Sequence, residues 1–240
     1  HLLSRRQRQM CIRDRYITNN QEFMGLNFFV NENVLIPQPD TEIIVEETLK
    51  KCKELLLKNG KIKILDLCTG SGAIAVSLSI FLGDEAEVFA SDISTKALEV
   101  AKYNNGKNNT NVRFIESNLF KNIQEQKFNI IVSNPPYIRS DVINKLSKQV
   151  QNEPHLALDG GEDGLKFYKK IIEQSCNYIE NGYLILEIGY DQKEDVENLL
   201  KENKNYSEIK TIQDLSGNDR CVIAKVGKTV SYTHLTLPTT

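Results

Sequence analysis

The sequence predicts a doubly wound α/β fold, in which a mostly parallel seven-stranded sheet carries helices on both faces and follows a short β-hairpin. Apolar runs of strand length alternate with amphipathic segments of helix length, an arrangement typical of parallel strands joined by crossover helices. The chain has 240 residues, enough to fill the core of one such domain but short for two. One main domain is therefore expected.

The first folded segment is expected to begin at Tyr16. Two short strands, FMGLNFFV and the approach to VLIP, would form the hairpin. A helix is expected from Asp40, because Asp is a common N-cap, and its amphipathic pattern runs to Leu57. Residues 1–15 and 229–240 lack this periodicity, and we expect them to be non-native or disordered tails.

The body of the chain then alternates between strand and helix patterns. Strands are predicted at residues 61–67, 87–93, 111–117, 128–134, 183–189, 207–215 and 220–226. Helices are predicted at residues 72–82, 95–107, 165–179 and 191–203. The closing strand pair indicates one antiparallel member at an edge of the sheet. Ligands of such sheets bind beyond the carboxyl ends of the strands, so the loops after Leu67, Ala90 and Ser133 are the candidate site.

Composition argues against several classes of protein. A formal net charge of -2 gives no basic field of the kind that nucleic-acid binders carry. The five cysteines have no paired spacing, so free thiols are expected. His155 is the only histidine away from the ends, so neither a metal site nor a Ser-His-Asp triad is expected. No apolar run is long enough to cross a membrane, and we expect a soluble, cytoplasmic protein.

A glycine-containing loop follows the first strand of the body. It comprises Asp66, Thr69, Gly70 and Gly72 and leads directly into a helix, so backbone N–H groups are open to a ligand. Asp92 ends the next strand, where its carboxylate can accept hydrogen bonds from both ribose hydroxyls. Two ligand classes share this layout, a nicotinamide dinucleotide and S-adenosylmethionine, and the loop alone does not choose between them.

The sequence Asn134-Pro135-Pro136-Tyr137 ends the fourth strand of the body. The side-chain oxygen of Asn134 and the carbonyl of Pro135 are two acceptors whose separation is fixed by the proline backbone. They can hold both hydrogens of a planar –NH₂ group and favour a nitrogen whose lone pair points at an electrophile. Tyr137 can stack on the planar group. This pattern indicates an amino-methyltransferase that uses a sulfonium methyl.

Together these motifs resemble the release factor glutamine methyltransferases of the HemK type. The resemblance rests on VLIPQPDTE, ILDLCTGSGAIAVSL, ASDIS, VSNPPYI, EPHLALDGGEDGL, LILEIG and NDRCVIAKV, and covers about residues 16–227. It implies a class I, Rossmann-like fold with S-adenosylmethionine as cofactor. It also implies methyl transfer to the amide of the glutamine in the Gly-Gly-Gln loop of peptide chain release factors. We expect a monomer that binds neither nucleic acid nor a membrane.

The resemblance also implies roles for individual residues. The loop at the methionine end of the cofactor would comprise Asp66, Thr69, Gly70 and Gly72. Asp92 would hold the ribose, and Asn118 would lie by the adenine. Asn134 would also contact the cofactor. Asn134, Pro135 and Pro136 would grip the substrate amide beside Tyr137, and Glu153 and Pro154 would shape the substrate pocket.

The family normally has a helical N-terminal domain, for which the sequence shows no counterpart. Residues 16–39 are therefore interpreted as a hairpin linker and residues 40–228 as the catalytic domain. Three alternatives remain: an amino-methyltransferase acting on DNA or RNA, a truncated and inactive S-adenosylmethionine-binding module, and a nicotinamide oxidoreductase.

Overall fold

The computed structural model describes residues 18–124, 126–147 and 150–227, so both predicted tails lie outside the described residues. A β-hairpin opens this part of the chain, with β1 at Asn20–Phe23 and β2 at Leu26–Phe29. The prediction that FMGLNFFV forms one strand is wrong. Met24 and Gly25, inside it, have φ angles of 52° and 73°, and two successive left-handed residues make the tight turn of a hairpin.

The predicted seven-stranded sheet is confirmed. Its strands are β3 (Ile62–Leu67), β4 (Ala86–Asp92), β5 (Arg113–Glu116), β6 (Phe128–Ser133), β7 (Ile179–Glu187), β8 (Tyr206–Gln213) and β9 (Asp219–Val226). The spatial order is β5-β4-β3-β6-β7-β9-β8. β9 pairs antiparallel with both β7 and β8. The single antiparallel member therefore lies inside the sheet, and the expectation that it forms an edge is wrong, because β9 fills the position beside β7 and leaves β8 outermost.

Seven α-helices occur in the described ranges. They are α1 (Glu42–Asn59), α2 (Ala73–Leu82), α3 (Thr95–Lys107), α4 (Ser140–Ile143), α5 (His155–Leu158), α6 (Lys166–Ser175) and α7 (Lys193–Glu202). Asp40 does not cap α1. It lies inside a 3₁₀ turn at Pro39–Thr41, and its carboxylate is 3.6 Å from the guanidinium of Arg220.

β7 begins before its predicted start at residue 183, and α6 ends at Ser175 rather than at residue 179. Asn181 and Gly182 are typical turn residues, yet both lie within the strand. An added Cβ at Gly182 would stand 1.7 Å from the carbonyl oxygen of Asn129. The glycine therefore permits a close approach between strands that its sequence context does not reveal.

The central strands are buried on both faces. Ile64 and Ile130 join the apolar layer under α1 and α2, whereas Leu65 and Ile131 join the layer under α6 and α7. Strand side chains alternate between the two faces, so a doubly covered sheet requires apolar residues at consecutive positions. This accounts for the continuous apolar runs. None of the described helices is both long and apolar enough to cross a membrane.

The strand order reverses between β3 and β6, which are direct neighbours. The hydroxyl of Ser133, at the end of β6, donates a hydrogen bond to the carbonyl of Leu67 at 2.7 Å. The two strand ends are thereby fixed together at the point where this fold binds ligands.

Candidate functional site

A cavity of about 300 Å³ lies at the carboxyl ends of β3, β4 and β6. Thr69, Gly70 and Asp92 form one side of it, and Asn134 and Pro136 form another. We refer to residues 66–72 with 91–94 as the glycine-loop half and to residues 134–137 as the NPPY half. Residues of both predicted motifs therefore line the same cavity.

The glycine-loop half has an unusual backbone. Cys68, Gly70 and Gly72 have φ angles of 59°, 54° and 81°. The N–H of Thr69 donates to the carbonyl of Ser91 at 3.0 Å, which ties the loop to β4. An added Cβ at Gly72 would lie 3.0 Å from the Cβ of Ala101, whereas one at Gly70 would meet nothing within 4 Å. Gly72 thus allows α2 to pack closely on α3, and Gly70 leaves backbone exposed to a ligand.

Asp92 connects the two strand ends of this half. Its Oδ2 accepts a hydrogen bond from the N–H of Gly70, and its Oδ1 accepts one from the N–H of Ser94, both at 2.9 Å. Burial raises the pKa of this carboxyl, although the hydrogen bonds from backbone N–H groups oppose the shift. Each oxygen keeps a further lone pair for a ligand hydroxyl.

Asp66 is fully buried and is not part of the cavity wall. The hydroxyl of Thr69 donates to its Oδ2 at 2.6 Å, while its Oδ1 has no hydrogen-bond partner among the described residues. The pKa of Asp66 is raised to about 7, mainly by burial and in small part by the nearby Asp92, while the hydrogen bond from Thr69 opposes the shift. Asp66 therefore supports Thr69, which itself lines the cavity.

Beside the glycine-loop half, the cavity wall formed after β4 and β5 contains both polar and apolar groups. Asn118 and Leu119 follow β5, and Ile93 follows β4; all three line the cavity. The N–H of Ser117 donates to the carbonyl of Asp92 at 2.9 Å, which fixes the two loops relative to each other. The side chain of Ile93 is 48% exposed. A planar apolar group with polar edges suits such a surface.

The NPPY half is assembled differently. The Nδ2 group of Asn134 lies 3.5 Å from the hydroxyl of Thr41, which precedes α1. Both side chains lie beside the buried carboxylate of Glu187, at the end of β7, and as hydrogen-bond donors they oppose the rise of its pKa. Asn134 and Pro136 line the cavity, whereas Pro135 is not part of its wall.

Tyr137 does not line the cavity either. Its ring packs against the apolar layer under α6 and α7, and its hydroxyl forms a hydrogen bond with Arg220. Burial is the main cause of the raised pKa of Tyr137, and the nearby Glu187 adds to it. In this conformation the ring supports the loop, and stacking on a substrate amide would require it to turn.

The segment after α4 holds the NPPY half from outside. The N–H of Ile138 donates to the carbonyl of Leu158 at 3.0 Å, and the N–H of Gly160 donates to the carbonyl of Ile138 at 2.8 Å. Gln192 donates from Nε2 to the carbonyl of Tyr137 at 3.1 Å. The loop that follows Asn134 is therefore bonded on both sides.

Glu153 and Pro154, predicted to shape the substrate pocket, have separate places. Pro154 lines the cavity. Glu153 is buried, and its Oε1 accepts a hydrogen bond from the N–H of Ile36 at 3.3 Å. It thereby holds the segment that contributes Val34, Leu35, Pro37 and Gln38 to the cavity wall.

Sequence reasoning missed four supporting residues: Thr41, Glu187, Gln192 and Arg220. Glu187 carried a usable signal, because it ends an apolar strand run just as Asp92 does. Thr41 and Arg220 lie far from Asn134 along the chain, and their spacing gives no sign of contact. The sheet order alone brings them together.

The residues on the wall suit a ligand that joins a cation to a nucleoside. The carboxylate of Asp92 lies on this wall, and a hydroxylated sugar would find acceptors on it. Ile93 and Leu119 offer apolar contact for a base beside the amide of Asn118. Next to this, Asn134 offers a carboxamide at the cavity surface.

Comparison with known proteins agrees with this chemistry. Residues 41–161 match the family model "Methyltransferase small domain". The release factor glutamine methyltransferase of Clostridium acetobutylicum is 46% identical over an alignment of 231 residues, which covers 94% of this chain and 78% of that protein. A methyltransferase of Pyrococcus furiosus has a similar fold, with a TM-score of 0.63 at 21% identity, covering 93% of this chain and 98% of that one.

A second solved structure shares the fold at 16% identity. It is the 16S rRNA N2 G1207 methyltransferase of Thermus thermophilus in complex with AdoMet and guanosine, with a TM-score of 0.58. The similarity covers 87% of this chain and 50% of that one.

Proposed function

The chain belongs to the release factor glutamine methyltransferase family, and from this we propose that it transfers a methyl group from S-adenosylmethionine to the side-chain amide of a glutamine in peptide chain release factors. The finer target is the glutamine of their Gly-Gly-Gln loop. The observation that carries the proposal is the shared cavity, which Asn134 lines from one side and Gly70 and Asp92 line from another.

The glycine-loop half fits the cofactor. S-adenosylmethionine, when bound, supplies a methyl group on a sulfonium cation. Gly70 and Thr69 would hold its amino-acid end, Asp92 its ribose hydroxyls, and Asn118 its adenine between Ile93 and Leu119. An ionised Asp92 would favour a cation in this space.

The NPPY half would hold the glutamine amide. Asn134 Oδ1 and the Pro135 carbonyl would each accept one of the two amide hydrogens. An amide nitrogen is a poor nucleophile, because its lone pair is delocalised into the carbonyl group. Acceptors on both hydrogens stabilise the nitrogen as it gains positive charge and hold its lone pair toward the methyl group. No strong base is required, because the nitrogen releases a proton only after it has become acidic.

The remaining residues of the site would position the groups that make these contacts. Pro136 fixes the loop backbone, and Tyr137 would approach the substrate amide by turning from Arg220. Pro154 and the segment held by Glu153 would bound the entrance for the substrate side chain. The catalytic unit would comprise residues 40–228, with residues 16–39 as a hairpin that packs on it. We further propose that the protein acts as a monomer in the cytoplasm, where release factors work, without binding nucleic acid itself.

The direct test incubates the protein with S-adenosylmethionine and a purified release factor and maps the product by mass spectrometry. We expect one added methyl group on the peptide that contains Gly-Gly-Gln, located on the glutamine. A release factor in which this glutamine is replaced by alanine should gain none. Methyl incorporation into RNA or DNA in a parallel reaction, with none into the release factor, would overturn the proposal.

A further inference from the structure

Glu187 is a buried carboxylate behind the NPPY half that none of the roles described above uses. It ends β7 and is 3% exposed. The hydroxyl of Thr41 and the carboxamide of Asn134 are its hydrogen-bonding neighbours. Its Oε2 has no hydrogen-bond partner in the part of the chain that the structure describes. A buried carboxylate with an unpartnered oxygen destabilises the folded protein. A functional role would therefore explain its position.

The sheet itself places Glu187 beside Asn134. β6 and β7 are parallel neighbours in which Ser133 pairs with Leu186, so the next residue of each strand is Asn134 and Glu187. On the other side of β7, Glu187 pairs with Cys221 of β9. Arg220 therefore lies at the same end of the sheet. The contact between carboxylate and carboxamide is a consequence of register, not of a mobile loop.

We propose that Glu187 is a positioning residue that fixes which end of the Asn134 carboxamide faces the substrate. The inference rests on the proposed function. An ionised carboxylate can only accept hydrogen bonds, so it requires Asn134 to present its –NH₂ group inward. The oxygen of Asn134, the acceptor needed by the substrate amide, is then turned toward the cavity. The hydroxyl of Thr41 adds a second hydrogen bond to the carboxylate.

The charges around Glu187 make this orientation dependent on pH. Burial raises the pKa of Glu187 to about 7, and Asp40 adds to the shift, whereas Thr41, Asn134 and Arg220 oppose it. The other titratable groups nearby are Tyr137, Tyr168 of α6 and Cys221 of β9. When protonated, Glu187 can donate to Asn134 Oδ1 and stabilise the opposite, non-productive orientation. The ionised form is the active one, and kcat should rise with pH through about 7.

The decisive variant is Glu187→Gln, which keeps the shape and removes the charge. A neutral amide accepts or donates with little preference, so we expect kcat to fall about tenfold or more. The affinity for S-adenosylmethionine and the KM for release factor should be retained. The rise of kcat between pH 6 and 8, values chosen on either side of the pKa of about 7, should flatten.

Two further variants separate positioning from general destabilisation. Glu54→Gln removes a carboxylate that accepts a hydrogen bond from Tyr183, in the middle of β7, and should keep the kcat and pH profile of the parent. Glu187→Asp retains the charge on a shorter side chain. It should keep a rise of kcat with pH at a reduced maximum rate. If Glu187→Gln kept the parental rate and pH profile, the proposal would be wrong.

A measurement independent of turnover tests the orientation itself. The side-chain –NH₂ proton signals of Asn134, assigned by their loss in Asn134→Ala, are followed by NMR as pH is varied. They should shift near pH 7 in the parent and in Glu54→Gln but not in Glu187→Gln. An absent shift in the parent would overturn the role of Glu187. If the shift appears but no release factor is methylated, the proposed function alone has failed.

Discussion

The two halves of the site differ in how far apart along the chain the residues lie that hold each half in place. Every hydrogen bond described for the Asp66 and Asp92 carboxylates lies within residues 66–94, inside one strand-helix-strand unit and its following turn. Around the NPPY half, by contrast, lie Thr41, Glu187 and Arg220, which come from three other segments of the chain. A local turn builds the first half, and the order of strands in the sheet builds the second.

This difference predicts different responses to substitution. Changes in the glycine-loop half should act on cofactor affinity, because we propose that its groups face the nucleoside and the cation of the cofactor. Changes in the NPPY half should act on kcat, because we propose that its groups hold the substrate nitrogen. Measuring both quantities in each variant tests whether the two halves are separable.

The largest effect is expected for Asn134→Ala. Loss of one of the two acceptors for the substrate amide should lower kcat by roughly a hundredfold to a thousandfold, by analogy with loss of one preorganised hydrogen bond in other active sites. Cofactor affinity, measured by calorimetry, should stay close to that of the parent. Asn205→Ala, at an exposed position before β8, is the control. Equal losses of kcat and cofactor affinity would contradict the division into halves.

The next effect concerns the dependence of stability on pH. One buried acid, Asp66, belongs to the glycine-loop half, and another, Glu187, lies behind the NPPY half. Burial raises the pKa of Asp66 and of Glu187 to about 7, from ordinary values of 3.8 and 4.5. Between about pH 4 and 7 the folded state therefore holds protons that the unfolded state has released. The unfolding free energy should fall as pH rises through this window, by an amount on the order of a few kcal/mol.

Chemical denaturation at several pH values measures this dependence. Asp66→Asn and Glu187→Gln should each reduce the slope of the unfolding free energy against pH. Asp84→Asn, at an exposed position before β4, should leave it unchanged. A stability that stays unchanged between pH 5 and 7 would show that both carboxyls titrate with ordinary values.

A smaller effect is expected for Asp92→Asn. The variant keeps an oxygen acceptor but loses the charge, and its –NH₂ group would face the N–H of Gly70 or of Ser94. We expect cofactor affinity to weaken by about tenfold to a hundredfold. At saturating cofactor, kcat should recover most of the parental value. A kcat that stays low at saturation would place Asp92 in the chemical step as well.

The smallest effect is expected for Gly160→Ala. Its Cβ would stand 2.7 Å from the backbone Cα and C atoms of Tyr137, so the NPPY loop must shift by a fraction of an ångström. Small displacements of a positioning loop reduce kcat, here by about tenfold. Gly106→Ala, where an added Cβ meets nothing within 4 Å, is the matched control. Equal rates in the two variants would mean that the loop tolerates the shift.

Much of the fold was predictable because its signals are local. The strand and helix patterns of the body and the doubly wound arrangement are confirmed, with shifted ends at β7 and α6. The hairpin turn at Met24 and Gly25 was missed, because an apolar residue with positive φ has no sequence signature. The position of β9 was missed because a hairpin can add to a sheet by either of its strands.

The candidate site divides in the same way. Asp66, Thr69, Gly70, Gly72 and Asp92 were recognisable from spacing, since a turn between strand and helix is made by adjacent residues. The burial of Asp66 and Tyr137 away from the cavity wall was not, because spacing does not tell which way a side chain turns. Glu153 was expected to shape the substrate pocket, and that role stays a prediction. Its bond to the N–H of Ile36 could not be read from spacing, because the two residues are far apart along the chain.

The sequence by itself determined the alternation of elements, the glycine loop and the NPPY motif, since each depends on residues that are neighbours along the chain. Only the tertiary structure decided that Glu187 meets Asn134 and that Arg220 meets Tyr137. Those contacts depend on strand order and register, which are set by the packing of the whole sheet.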